Sequence, residues 1–137
     1  DCLLSRGLGD VYKRQVFLAQ FDAIKKLASE GPCVMVGRCA DYALSEYKDC
    51  FSVFVHADTD WRINRLSQKH NKTAKEAKDM INKTDKSRSS YYNYYTNKKW
   101  GAASSYNLCV DSSKLGIDGA AKAIIQAIEI FDSIKNK

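Results

Sequence analysis

Basic side chains are concentrated between Trp61 and Trp100. This stretch carries eleven Lys and Arg residues against three acidic residues, a net charge of +8, whereas the whole 137-residue chain carries only +6. The basic residues are Arg62, Arg65, Lys69, Lys72, Lys75, Lys78, Lys83, Lys86, Arg88, Lys98 and Lys99. The positive field is therefore local, and it favours an anionic partner. Phosphate is the anion expected first, because the guanidinium group of Arg offers paired donors that match phosphate oxygens.

Asp85 and Arg88 are the strongest candidates for phosphate chemistry in this stretch. The segment Thr73–Glu76 has the pattern of a capping box, which predicts a helix start. The apolar face of that helix runs through Ala77 and Ile81 and places Arg88 on the inward stripe, where a charged group needs a partner. Asp85 lies three residues earlier and can pair with Arg88 across one helical turn. The pair is either an ordinary ion pair or a device that orients Arg88 toward a phosphate.

Two further sets of residues are candidates for binding a ligand. Arg38 follows Gly37 at the end of an apolar run, and it either reaches a ligand or pairs with Asp41 at the surface. A row of basic residues at spacings of three and four shares one helix face: Arg62, Arg65, Lys69 and Lys72. Such a row is usually only solvated, but its first members follow the end of a strand, where an anion would bind.

The elements that would position these residues alternate between helices and short apolar runs. Helical spacing begins at Val16 and ends at Ser29, before Gly31 and Pro32. The predicted strands are Cys33–Val36, Phe51–His56 and Tyr106–Val110; Asp58 is positioned to cap a helix over residues 59–70, and a last helix begins near Ile117. This order predicts an α/β fold, a parallel sheet with crossover helices.

Ligands of such sheets bind beyond the carboxyl ends of the strands. Three polar segments fall at those ends: Gly37-Arg38, His56-Ala57-Asp58 and Asp111-Ser112-Ser113. The tyrosine cluster at residues 91–95 could stack on a base, but we expect it to anchor the helices instead.

Composition limits the class of protein. A chain of this length with 45% hydrophobic and 28% charged residues suits one globular domain. No apolar run approaches the roughly 20 residues that span a bilayer. The five Cys residues lack zinc-site spacing, so we expect reduced thiols, a cytoplasmic location and no metal site. Residues 1–15 lack clear periodicity and resemble a translated sequencing adapter; we expect them to be extraneous or disordered, and residues 16–137 to form the domain.

From about Val16 onward the chain resembles the cytidylate kinase-like family of nucleoside monophosphate kinases, within the P-loop NTPase superfamily. The resemblance rests on four segments in order: PCVMVGRCAD, FVHADTDWRINRL, TDKSRSSYYNYYTNKKWG and NLCVDSSKLGID. It implies a kinase that transfers the γ-phosphoryl group of ATP, with Mg²⁺, to CMP, dCMP or a similar nucleoside monophosphate. It also implies a helical lid at about residues 61–101.

The resemblance assigns roles to individual residues. Arg38, with Asp41, would bind the acceptor; Arg62, Arg65 and Lys86 would be basic residues of the lid. Asp85 and Arg88 would match the Asp-x-x-Arg that closes over the phosphates. Two positions depart from the family pattern: Ile81 replaces a usual arginine, and Cys39 replaces a usual aspartate, so the acceptor base stays open.

The glycine-rich phosphate loop of the family, Gly-x-x-x-x-Gly-Lys-Ser/Thr, does not occur in this sequence. We therefore expect an incomplete P-loop kinase fold, without its first strand and phosphate loop, and a chain that is inactive although its parent is a kinase. In the family the missing strand lies between those matching Cys33–Val36 and Phe51–His56, so its loss would leave two unpaired edges.

The alternative function is a basic nucleic-acid-binding α/β domain, in which the lysines follow a phosphate backbone and tyrosines stack on bases. The placement of the basic residues on crossover helices favours the kinase, with nucleotides rather than nucleic acid or membrane as partners.

Overall fold

The computed structural model describes residues 8–137, with side chains from residue 11 onward. The chain divides into two compact units, residues 1–50 and residues 51–137. The helices are α1 (Leu8–Glu30), α2 (Ala40–Ala43), α3 (Thr59–His70), α4 (Ala74–Thr96) and α5 (Ser112–Lys135); the strands are β1 (Val53–His56) and β2 (Leu108–Asp111); a short 3-10 helix covers Ala103–Ser105.

The first unit consists of α1 and the short helix α2. Helix α1 ends at Glu30, before Gly31 and Pro32, as the sequence predicts. It begins at Leu8, so the predicted start at Val16 is wrong by eight residues within the described chain. Its apolar face packs through Ile24 against a small core in which Ala40, Ala43 and Leu44 are buried.

The predicted strand at Cys33–Val36 is not a strand among the described residues. Val34 and Val36 are 94% and 91% exposed, so the segment is not covered on both faces. A single extended segment is not stable without a neighbour that satisfies its backbone hydrogen bonds. Within residues 8–137 this segment has no strand partner, which explains the error.

The second unit contains a sheet of two parallel strands, β1 and β2, which confirms the strands predicted around them. Their register pairs Val53 with Leu108 and ends with His56 beside Asp111. The backbone N–H of Ser52 donates to Oδ1 of Asn107 (2.8 Å) where the pairing begins. Helix α5 packs on both strands. Both strands thus end side by side, which places their following loops together.

Helices α3 and α4 follow β1 and precede β2 in the chain, and together they form a helical hairpin. The predicted cap is confirmed: the backbone N–H of Glu76 donates to Oγ1 of Thr73 (3.2 Å). The Glu76 side chain also reaches back, but to the Thr73 hydroxyl, which donates to its Oε1 (3.1 Å). Ala77 and Ile81 are buried, as their spacing predicts. Helix α3 covers Thr59–His70, as predicted, and Asn71 ends it in the left-handed conformation, so Lys72 lies outside the helix whose face it was expected to share.

An aromatic cluster fixes the carboxyl-terminal end of α4 to the sheet. The Phe54 ring stacks on Tyr106 (4.9 Å between centroids) and meets the edge of Trp100 (5.3 Å). Tyr92 is buried against Tyr106, which supports the expected anchoring role, whereas Tyr94 is 75% exposed.

The described fold is therefore a helix-rich α/β arrangement with a small parallel sheet, as predicted at that level. Among the described residues, every helix is too short or too polar to cross a bilayer.

Candidate functional site

A pocket of about 450 Å³ lies at the carboxyl ends of β1 and β2. We call it the strand-end pocket, and its lining residues are His56, Ala57, Asp58, Trp61, Asp111, Ser113 and Lys114. Two of the three polar segments predicted to border a ligand therefore do line one cavity. Its position agrees with the rule that parallel sheets bind ligands beyond their carboxyl edges.

Ser113 connects the two strand ends within this pocket. Its hydroxyl oxygen accepts a hydrogen bond from the backbone N–H of Asp58 (3.0 Å). The same hydroxyl donates to Oδ1 of Asp111, which also accepts from the backbone N–H of Ser113 (2.9 Å). The neighbouring Ser112 hydroxyl donates to the backbone carbonyl of His56 (3.1 Å). Side-chain hydrogen bonds thus join loops that are more than fifty residues apart in sequence.

The two carboxylates of the pocket differ in their surroundings. The hydroxyl of Ser113 is the main cause that lowers the pKa of Asp111, since it donates to the ionised form. Asp58 was predicted to cap α3, but its side chain makes no capping hydrogen bond among the described residues. The Asp58 carboxylate is exposed and is therefore available to a ligand.

Trp61 gives the pocket one aromatic wall. The guanidinium of Arg65, one helical turn later, lies 5.6 Å from the centre of its ring, within the range of a cation–π contact. Arg65 was predicted as a phosphate-binding residue, and it is exposed and stacked on this ring. Trp61 and Lys114 line the pocket but were not among the predicted site residues; their only indication in the sequence is that each closely follows a polar strand end.

Arg62 and Asp85 form a bidentate ion pair within the basic region. Both terminal nitrogens of Arg62 donate to the two carboxylate oxygens of Asp85, each at 2.7 Å. The side chains are 30% and 26% exposed, so the pair is partly shielded from water. The hydrogen bond to Asp85 is the main cause that raises the pKa of Arg62. The bond joins α3 to α4.

This contact corrects the predicted pairing of Asp85 with Arg88. Both oxygens of Asp85 are engaged by Arg62, a residue 23 positions earlier. Arg88 lies on the predicted inward stripe of α4, seven residues after buried Ile81, but it is exposed rather than covered by protein. The spacing of three residues favours Arg88 as the partner of Asp85. The packing of α3 on α4 instead brings Arg62 to Asp85 in a bidentate contact. Lys86 is exposed on the same helix.

The remaining candidates, Arg38 and Asp41, belong to the first unit. Gly37, Arg38 and Cys39 all have left-handed backbones, with φ of 73°, 57° and 56°. This is an uncommon conformation for Arg and Cys, and clusters of such residues occur at binding sites. The Arg38 side chain is exposed. The Cys39 thiol is buried, and burial together with Asp41 raises its pKa to about 11.

Cys39 and Ile81 occupy the two positions that depart from the family pattern. Ile81 is 4% exposed and Cys39 is 5% exposed, so both side chains serve packing here. Within residues 8–137, no cluster of three or more His, Cys, Asp or Glu side chains is arranged to hold a metal ion.

Comparison with known proteins identifies relatives of this chain. The profile of the cytidylate kinase-like family matches residues 3–114. A crystal structure of an uncharacterized protein from Eubacterium ventriosum is similar in fold, with a TM-score of 0.81 and 33% sequence identity. That match covers 85% of this chain and 73% of the other. No curated protein matches this chain.

Proposed function

Because this chain belongs to the cytidylate kinase-like family, we propose that it is the C-terminal part of a kinase that phosphorylates CMP, dCMP or a similar nucleoside monophosphate. In that reaction a phosphate oxygen of the acceptor attacks the γ-phosphorus of ATP. The bond from that phosphorus to the β,γ-bridging oxygen breaks, giving ADP and a nucleoside diphosphate. Family membership supports a nucleotide kinase in general, while the acceptor and the role of this part are the proposal.

The observation that carries the proposal is the position of the strand-end pocket next to the basic helix hairpin. The pocket combines an aromatic wall, Trp61, with two carboxylates, Asp58 and Asp111. An aromatic ring suits a nucleobase, and carboxylates accept hydrogen bonds from base amino groups or ribose hydroxyls. The phosphates would then meet the cationic residues around the pocket, since anions are repelled by the carboxylates.

We assign the charged residues as follows. Arg88 would close over the phosphates of the bound nucleotides, the acceptor's included, and Arg65 and Lys86 would add positive charge along the lid at about residues 61–101. Arg38, presented on its left-handed turn with Asp41 nearby in sequence, would bind the acceptor. Asp85 and Arg62 would act through each other rather than on the phosphate, because each already satisfies the other.

Mg²⁺ normally accompanies ATP and binds one or two carboxylates together with phosphate oxygens. The pocket carboxylates, Asp58 and Asp111, are assigned here to the base and ribose, and the described residues offer no cluster of metal ligands, so they do not by themselves fit the Mg²⁺ of ATP; that ion would depend on the phosphate loop that this sequence lacks. Such an ion would neutralise charge on the phosphates.

We further propose that the chain on its own is inactive. The sequence has no glycine-rich phosphate loop, and the main support for the β- and γ-phosphates in this superfamily is that loop. Residues 16–137 would then be a partial domain and residues 1–15 extraneous, with α1 beginning inside that segment at Leu8.

ADP release from ATP tests the proposal. The chain should produce no ADP with CMP, dCMP or UMP, whereas a parent gene recovered with an upstream strand and phosphate loop should do so with at least one of them. ADP formation by the chain alone would contradict its inactivity. An inactive parent that binds a single-stranded oligonucleotide, with affinity falling steeply as salt rises, would favour the nucleic-acid function instead.

A further inference from the structure

The register of the helix hairpin places Arg88 level with the strand-end pocket. Only residues 71–73 connect α3 to α4, and the two helices pack together, so they run antiparallel. Arg62 is opposite Asp85. Three residues back along α3 is Thr59, its first residue, and three residues forward along α4 is Arg88. Both steps move about 4.5 Å in the same direction, because each helical residue rises 1.5 Å.

Thr59 directly follows Asp58, which lines the pocket. Arg88 therefore lies at the height where α3 begins and the pocket opens. It also lies on the inner face of α4, since it is seven residues after Ile81 and four before Tyr92, both of which are buried. Arg88 is nevertheless exposed, because α3 does not extend past Thr59 to cover it. An exposed Arg on the inner face at this height is suited to meet an anion bound in the pocket.

The bond between Arg62 and Asp85 is the contact that defines this register. A bidentate pair is directional, because both N–H groups must align with both oxygens, so sliding one helix past the other would break it. The apolar contacts of Ala77 and Ile81 stabilise the hairpin but are less directional.

We propose that the ion pair of Arg62 and Asp85 is a positioning device, which holds α4 in the register that presents Arg88 to a phosphate group at the strand-end pocket. This inference depends on the proposed function, because it requires a nucleotide as the ligand. In it Arg88 touches the ligand, and Arg62 and Asp85 act through Arg88.

Asp85→Asn separates this role from a simple effect of charge. The substitution removes one negative charge, so electrostatics alone predicts tighter binding of an anionic nucleotide. Loss of positioning predicts weaker binding. Asp79→Asn is the matched control, since Asp79 is an exposed acid on the same helix and the charge change is identical.

The test measures CMP affinity through the fluorescence of Trp61, which lines the pocket, in a Trp100→Phe background that removes the other tryptophan. We expect Asp85→Asn and Arg88→Gln each to weaken CMP binding by roughly tenfold, the effect of losing one charge-assisted hydrogen bond. The double variant should bind no more weakly than Arg88→Gln alone, because both changes remove the same contact. Asp79→Asn should bind CMP as tightly as the same chain without that substitution, or slightly more tightly.

Arg62→Lys is a second test of the positioning role, because it keeps the positive charge but removes the guanidinium group that bonds both oxygens of Asp85. It should also weaken CMP binding. Circular dichroism of each variant checks that α3 and α4 remain helical. Unchanged or tighter CMP binding by folded Asp85→Asn and Arg62→Lys would overturn the positioning role and leave the proposed function intact. Additive losses for Asp85→Asn and Arg88→Gln would also overturn it. Absence of CMP binding by the chain that carries only Trp100→Phe would overturn both the proposed function and this inference.

Discussion

Replacing Ser113 with Ala should loosen the connection between the two strand ends and raise the pKa of Asp111. The change removes the acceptor for the backbone N–H of Asp58 and the donor to Asp111. It retains the bond from the backbone N–H of Ser113 to Asp111. The pocket would thus lose one of its links between the two strand ends, while the bond from Ser112 to the carbonyl of His56 and the cap of α5 remain.

The two lost hydrogen bonds should affect stability differently as the pH changes. The bond from Asp58 should contribute about 1 kcal/mol of unfolding free energy at any pH, the usual net value for a hydrogen bond. The bond to Asp111 contributes only while the carboxylate is ionised. Its pKa is lower in the folded state than the ordinary 3.8, so this contribution is complete above about pH 3.8 and is lost as the pH falls through the folded pKa.

Urea unfolding at pH 7 and at pH 3, with an NMR titration of the Asp111 carboxyl carbon, measures both effects. We expect Ser113→Ala to have a lower free energy of unfolding than the unsubstituted chain at pH 7, and this difference to shrink at pH 3. The pKa of Asp111 should rise toward its ordinary value. Ser133→Ala is the control, because Ser133 lies near the far end of α5, beyond its break at Gly116, and among the described residues its hydroxyl donates to the carbonyl of Ile130. An unchanged pKa of Asp111, or a stability difference that grows in acid, would refute this account.

Three other substitutions or treatments test the packing. Thr73→Ala should destabilise the hairpin by about 1 kcal/mol through loss of the cap of α4, measured by urea unfolding, and an unchanged midpoint would contradict the cap. Ile81→Ala should cost more, about 2–4 kcal/mol, because the side chain is 4% exposed; a smaller loss than that of Thr73→Ala would show that the site is not packed. Iodoacetamide at pH 8 should modify exposed Cys33 well before buried Cys39, whose pKa is about 11, as followed by mass spectrometry; equal rates would contradict the burial of Cys39.

Features that depend on neighbouring residues were predictable from the sequence. The end of α1 follows from Gly31 and Pro32, and the start of α4 from the capping box at Thr73. The pocket followed from one rule about parallel sheets, because polar residues come directly after both strands. The two helix boundaries are set by interactions within a few residues of the pattern that predicts them, and the pocket by a rule that holds wherever parallel strands end side by side.

Features that depend on distant partners were not predictable in this way. The segment Cys33–Val36 has the composition of a strand, but composition cannot supply a neighbouring strand. Asp85 has a possible partner, Arg88, three residues away, but it accepts hydrogen bonds from Arg62, which is 23 residues away. Local spacing shows which pairs can form, whereas the packing of α3 on α4 decides which pair does form.

The choice of partner by Asp85 also changes what the basic region can do. A count of charges treats all eleven basic residues as equivalent, yet Arg62 is neutralised by Asp85 and Arg65 lies over Trp61. Arg88 is left exposed one turn beyond Asp85 on α4, and Lys114 lines the pocket. If Asp85 had paired with Arg88, the inner face of the hairpin would present Arg62 instead, one turn farther from the start of α3. The ion pair therefore determines which Arg remains free to bind a ligand. For a phosphate at the strand-end pocket, the position of that one Arg would matter more than the total charge of the region.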